Sequence, residues 1–248
     1  MVFVHGLHAG PGVWKPMEEK FENNPDGDFP SASLHAFDYS GTTEEHVTNN
    51  AKRLSDWLSS QNLGEVDVVS HSMGGLVARK AQLDGAKIRR IITLATPNHG
   101  TGCCYPMTGT WDACKDMWRN TIIGTQSQFL TDLNEQTKPL VTPDTVLTYA
   151  VNPDDGQVDS DSVELDGAVN LMANPYLPDG PICGSELHNS ILVRDNVATD
   201  SMNFLRFGAA GVSEQTSPTR DPQATAHVAD EHALRARPDV DNIASRTS

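Results

Sequence analysis

The sequence predicts an α/β protein with a mostly parallel central sheet and helices on both faces. Three observations predict it. Strand-like and helix-like segments alternate from Val2 to Phe207, the order that builds a parallel sheet through helical crossovers. The run EVDVVS (65–70) is nearly continuous in valine instead of alternating with polar residues, as expected of a strand covered on both faces. That run turns at once into MGGLVARKAQL (73–83), a helix-forming segment with almost no linker between.

The elements follow in order. VFVH (2–5) and ASLHAFDY (32–39) read as strands. TTEEHVTNNAKRLSDWLSSQ (42–61) places Val47, Ala51, Leu54 and Leu58 at helical spacing, and Thr42 with Glu45 reads as a capping box at its start. After the valine strand, the helix from Met73 stops near Asp84-Gly85. IRRIITLA (88–95), TVLTYAV (145–151) and GAVNLM (167–172) continue the strands, and NSILVRDNVATDSMNFLRF (189–207) is a closing helix. The catalytic-scale unit is therefore residues 1–210. Residues 101–140 form a long excursion between strands, containing Trp111 and Trp118. Residues 211–248 have few large apolar side chains and read as a disordered or linker-like tail.

Composition narrows the function classes. Asp and Glu number 33 against 18 Lys and Arg, a formal charge of −15. Such a field disfavours nucleic acid and anionic membrane surfaces as partners. No apolar stretch approaches the ~20 residues of a membrane span. Met1 is followed directly by VFVHGL, with no signal-peptide pattern, and so strand-like a start suggests a trimmed or mature form. The four cysteines, Cys103, Cys104, Cys114 and Cys183, make no C-x-x-C pair, so neither zinc nor another metal is expected. One or two disulfides fit them, with Cys114 paired to Cys103 or Cys104; free buried thiols are the alternative.

The abrupt corner at Ser72 carries the chemistry. A serine hydroxyl is a weak nucleophile until a base takes its proton and the backbone exposes it. A sharp strand-to-helix turn does the exposing, and its flanks must be small because two backbones pass close by. Here the flanks are Ser70 and Gly74, with Gly75 behind, an S-x-S-x-G form of the usual G-x-S-x-G. The helix that follows aims its first N–H groups at an oxyanion. One oxyanion donor is then the N–H of Met73, and the second is that of Leu7, on the glycine-rich loop after the first strand. His5 reads as a scaffold residue, and His71 as a packing residue.

FVHGLHAGPGVW, VDVVSHSMGGLVAR and LATPNHGTG together resemble secreted bacterial lipases of the α/β-hydrolase fold, particularly the lipase class 2 group and actinobacterial triacylglycerol lipases. SQFLTDLN (127–134) is similar to a segment such lipases carry after the sixth strand. The resemblance implies a compact α/β-hydrolase, extracellular location, ester hydrolysis through a Ser–Asp–His triad and an acyl-enzyme, and no cofactor. The implied substrate is an ester or lipid, one setting for which is an oil–water surface, and the resemblance implies no particular oligomeric state.

In this fold the order is serine, acid, histidine. Of the nine histidines, those beyond His99 are His188, His227 and His232. The last two lie in the tail, so His188, ahead of the closing helix, is the base. The loop NPDDGQVDSDSVELDGA offers Asp154, Asp155, Asp159, Asp161 and Glu164. Matching it to the spacing in related lipases selects Asp155, with Asp159 and Asp154 as alternatives. The cluster lacks the spacing of a calcium loop. Trp111, Met117, Trp118, Ile122, Ile123 and Phe129 could give the excursion the apolar face of a lid, with ordinary core residues as the alternative. A short-chain carboxylesterase, a cutinase-like hydrolase or an acyltransferase could use the same triad. A non-catalytic hydrolase-fold binding protein would be expected to have lost one of its members.

Overall fold

The order of strands in the sheet decides where a site can form. The structure, a computed structural model, describes residues 1–151, 155–173 and 183–212. In chain order the strands and helices are β1 Val2–Val4, α1 Lys15–Glu22, β2 His35–Phe37, α2 Val47–Ser60, β3 Val66–His71, α3 Met73–Leu83 and β4 Ile88–Leu94. The excursion then holds α4 Asp112–Met117, the two-stranded hairpin β5 Arg119–Asn120 and β6 Thr125–Gln126, and α5 Gln128–Thr137. The series ends with β7 Val146–Val151, α6 Ser160–Val163, β8 Val169–Ala173, α7 Ser185–Ser190 and α8 Asp195–Phe207.

The main sheet has six strands in the order β2-β1-β3-β4-β7-β8, every pair parallel. Successive side chains on a strand face opposite ways, and two cores result. Val2, Val4, Val68 and Ile91 pack with Leu54 of α2 and Leu76 of α3. Phe3, Val69, Ile92 and Leu147 pack with Phe21 of α1 and Phe204 of α8. The chain leaves β1 for β2 on one side and returns to β3 on the other. In open parallel sheets this reversal opens a crevice at the strands' carboxyl ends, where ligands bind. The loop after β1 and the turn after β3 both end there.

Several expectations change in detail. The capping box at Thr42 and Glu45 is not formed. The chain makes a tight turn at Ser40–Thr42 first, and α2 begins only at Val47. Its first N–H donates to Asp116 Oδ2 at 2.8 Å, while Thr42 bonds Asn50 and Glu45 pairs with Arg53. A cap supplied from α4 replaced the local one. The closing helix is likewise two helices, broken by the extended backbone of Arg194 (φ −81°, ψ 133°). The cysteines also pair differently from the expectation: Cys103 is bonded to Cys183, 80 residues on. Cys104 and Cys114 are buried free thiols whose sulfurs lie 2.8 Å apart. The proposed tail falls outside the described residues except for Gly211 and Val212, and Val212 is buried against the α1/α8 core. Among the described residues no helix is long and apolar enough to cross a membrane.

At Gly74 two backbones pass in direct contact. A Cβ added there would lie 2.3 Å from the Val4 carbonyl oxygen and 2.5 Å from that of His5. Both obstacles are backbone of β1 and its continuation, which cannot step aside. Gly74→Ala should therefore cost roughly 3 kcal/mol or more, lowering the thermal midpoint by about 6–12 °C. Gly12→Ala, with nothing within 4 Å, should leave the midpoint in place; both are read by thermal denaturation.

Candidate active site

Ser72 sits at the corner between β3 and α3 with φ 54° and ψ −132°, a conformation that costs a non-glycine residue about 1–3 kcal/mol. The surroundings hold it there. Its N–H donates to the Leu94 carbonyl at 2.8 Å, and its own carbonyl accepts from Gly75 N at 3.1 Å and Thr96 Oγ1 at 2.9 Å. The small flanks have distinct reasons. Gly74 lies on the end of β1, and a Cβ on Gly75 would strike the Thr96 side chain. Ser70 stands where glycine is usual, and its buried hydroxyl donates to the Ile92 carbonyl at 2.7 Å. The substitution thus brings its own partner from β4.

Facing this corner is the loop after β1. A Cβ on Gly6 would come within 2.8 Å of Ser72 Cβ and 3.3 Å of Ser72 Oγ, so only glycine lets the loop touch the nucleophile's turn. Leu7 follows directly. Met73, at the first position of α3, has an N–H with no partner inside the helix. The loop is braced beyond Leu7: His8 takes φ 55°, its N–H donates to Thr43 Oγ1 at 3.3 Å, and its ring nitrogen lies 2.9 Å from Glu44. Beneath it His5 is fully buried and stacked on Tyr39 at 4.2 Å. His5 Nε2 accepts from Tyr39 N and Nδ1 faces the Gly6 carbonyl, so the ring is neutral, and burial lowers its pKa. It is scaffold.

His188 lies within α7, not ahead of the closing helix as the sequence suggests. Its Nδ1 is 2.5 Å from Asp155 Oδ2, and the two side chains are 3% and 1% exposed. Since a carboxylate only accepts, Nδ1 carries the proton and Nε2 has a free lone pair. Asp155 Oδ1 is itself held by the N–H groups of Gln157 at 2.8 Å and Val158 at 2.6 Å. His188 Nε2 is buried and has no hydrogen-bond partner among the described residues, Ser72 Oγ included. Catalytic contacts of this kind often tighten only when substrate is present. Of the alternative acids, Asp159 opens α6, and Asp154 lies outside the described residues.

Two features had no readable signal in the sequence. His71 Nε2 donates to the His188 carbonyl at 3.2 Å, with the rings 4.7 Å apart, so the residue before the nucleophile holds the helix bearing His188. Burial drives the His71 pKa well below its ordinary value. The Cys103–Cys183 disulfide joins the excursion to the segment entering α7. Cys183 N also donates to the carbonyl of Gly156, next to Asp155, at 2.5 Å. Covalent and hydrogen bonds thus gather the acid loop, the histidine helix and the base of the excursion.

Among solved structures the chain is similar to the mature lipase BlEst2 of Bacillus licheniformis, at 20% identity over 77% of this chain and 85% of that one, with a TM-score of 0.54. It is similar to the lin2722 gene product of Listeria innocua, at 16% identity over 83% and 93%, TM-score 0.56. A third is phospholipase PlaB of Legionella pneumophila, at 13% identity and TM-score 0.58 over 81% of this chain but 56% of PlaB; the chain spans little more than half of that protein. Identities this low carry the fold and nothing finer, and the fold is that of the α/β-hydrolases. No curated protein sequence matches the chain. Residues 1–132, more than half of its length, match the family described as domain of unknown function DUF7379, and the chain belongs to that family.

Proposed function

We propose that the protein is a serine hydrolase of carboxylic esters, with Ser72 as nucleophile, His188 as base and Asp155 as the acid that orients it. The observation that carries this reading is the environment of His188. A buried nitrogen left without a partner costs about 1–3 kcal/mol, and here its ring is locked by Asp155 in the one tautomer that can accept a proton. His188 Nε2 takes the Ser72 proton as Oγ attacks the ester carbonyl. The N–H groups of Leu7 and Met73 receive the oxyanion. Asp155 stabilises the imidazolium, which then protonates the departing alcohol. Water, activated by the same histidine, releases the acyl group. His71 acts as a positioning residue through the His188 carbonyl.

Within this class we favour a triacylglycerol lipase. Ile122 and Ile123, in the turn of the β5–β6 hairpin, are 93% and 69% exposed. Two adjacent apolar side chains on an excursion beside the crevice suit contact with a lipid surface. Burying an isoleucine is worth about 1.5–3 kcal/mol. Met117, expected on the same face, is instead core. The Cys103–Cys183 bond supports a location outside the reducing cytosol, in keeping with the resemblance to secreted lipases.

Ser72→Ala should lower kcat by about 10⁶-fold, and a fluorophosphonate probe should label Ser72 alone. Asp155→Asn should cost about 10⁴-fold, and Asp159→Asn far less. Labelling of a different serine, or full activity in Ser72→Ala, refutes the triad; no labelling and no ester hydrolysis by the unsubstituted chain returns it to a non-catalytic binding role.

Stability should also follow pH through His71. The unfolded chain protonates this residue near pH 6.5, whereas burial keeps it neutral when folded. The unfolded state therefore binds more protons below pH 6.5, and stability falls as pH drops, by up to about 1.4 kcal/mol per pH unit for each such histidine. Melting curves between pH 7 and pH 5 should show the decline, and His71→Asn, which keeps a donor for the His188 carbonyl, should flatten it.

Substrate class is tested on the hairpin. Replacing Ile122 and Ile123 together by serine should reduce hydrolysis of emulsified triglyceride by roughly tenfold or more. Rates on soluble p-nitrophenyl butyrate should stay the same. Equal loss on both substrates, or none on either, would favour a short-chain esterase, cutinase-like hydrolase or acyltransferase.

A further inference from the structure

Seven residues beyond Ser72 on α3, about 10 Å along the helix axis, lies a side chain the ester chemistry does not use. Arg79 is 1% exposed. Its Nη1 donates to Asn98 Oδ1 at 2.9 Å, and its Nη2 donates to Asn134 Oδ1 at 2.9 Å and Thr137 Oγ1 at 2.7 Å. Its Nε is buried with no partner among the described residues. Every acceptor is neutral, and among the described residues no carboxylate pairs with it. Amide and hydroxyl oxygens satisfy donors but do not cancel a buried charge, whose desolvation costs several kcal/mol. Burial accordingly lowers the Arg79 pKa to about 9, which leaves the guanidinium charged at neutral pH.

Arg79 lines a cavity of about 170 Å³ between α3, α5 and the loops that follow β4 and α6. His99 and Lys138 also line it, and Val141 and Leu165 form an apolar wall. Asn134 Nδ2 lies 3.3 Å from His99 Nδ1; with Nδ1 accepting, the imidazole proton is on Nε2, a further free donor. The acids at the cavity, Glu135 and Asp166, are exposed, and Glu135 is already paired with Lys138 at 2.7 Å. Neither reaches Arg79. At roughly 30 Å³ per water-sized group, the volume suits a ligand of about five or six heavy atoms. We propose that this cavity binds a small oxyanion, a carboxylate or a phosphate, that supplies the missing counter-charge to Arg79. The site is separate from the Ser72 corner, and the proposal does not depend on ester hydrolysis.

The test is thermal denaturation of the full chain in sodium phosphate, acetate or butyrate against sodium chloride at matched ionic strength and pH. An oxyanion present at about ten times its Kd should raise the midpoint by roughly 3 °C over chloride. The larger shift identifies the ligand: phosphate if three or more oxygens are needed, butyrate if the Val141 and Leu165 wall is used. Thr131→Trp, at an exposed α5 position on the cavity wall, should fill the space and abolish the shift, with folding confirmed by circular dichroism in chloride. Arg79→Gln should abolish it too; if that variant does not fold, Thr131→Trp carries the test. Identical midpoints in all four salts, or a shift that survives Thr131→Trp, would overturn the proposal.

Discussion

The first turn of α3 rests directly on the last carbonyls of β1, backbone against backbone, with only the hydrogen of Gly74 between them. That contact sets the angle at which the chain leaves β3, and the angle forces Ser72 into its left-handed conformation. It also carries the unpaired N–H of Met73 and the loop bearing Leu7 to the same place, because Gly6 can then lie against Ser72. The strain at Ser72 is a local cost met by packing elsewhere: two backbone hydrogen bonds, a third from the Thr96 hydroxyl and a sheet buried on both faces hold the corner shut. The Ser72 corner and the approach of the Leu7 loop to it are thus consequences of one steric fit.

The other half of the site is assembled differently. Asp155 follows β7 and His188 lies on the short helix α7, which follows β8. They are held by bonds made to one another and to their surroundings: two backbone donors on Asp155, His71 on the His188 carbonyl, and a disulfide on the segment leading into α7. Each is a hydrogen bond or covalent link in a buried setting, where loss of one partner leaves a costly unsatisfied group. The corner is rigid through sterics, and the acid–base pair is rigid through polar bonding.

This difference explains what could be read in the sequence. A steric corner needs small residues at fixed spacing, so Ser70, Ser72, Gly74 and Gly75 announce it, and the alternating segments announce the sheet. His188 and Asp155 were legible through chain order and spacing, and the structure brings those two together in burial that no spacing could reveal. Contacts between distant segments left no local trace. The cap on α2 comes from Asp116, far along the chain, and the capping box at Thr42 was overruled by a turn that packs well there. Cys183 gave no sign that it would meet Cys103. Arg79, in a segment where periodicity would place it toward solvent, is buried because α5 and the Asn98 loop close over it.

The Cys103–Cys183 bond makes the excursion after β4 something other than an interchangeable module. In many parallel-sheet enzymes the loops at the carboxyl ends of the strands vary almost independently, because each is anchored only by its own two strands. Here one end of the inserted segment is sewn to the approach to the acid–base helix, across the whole span of chain that separates them. A chimera that takes residues 101–140 from another protein must inherit the matching cysteine near α7, or it will unfasten the segment that leads to His188 in the same step. In this chain the two segments are therefore tied as one unit.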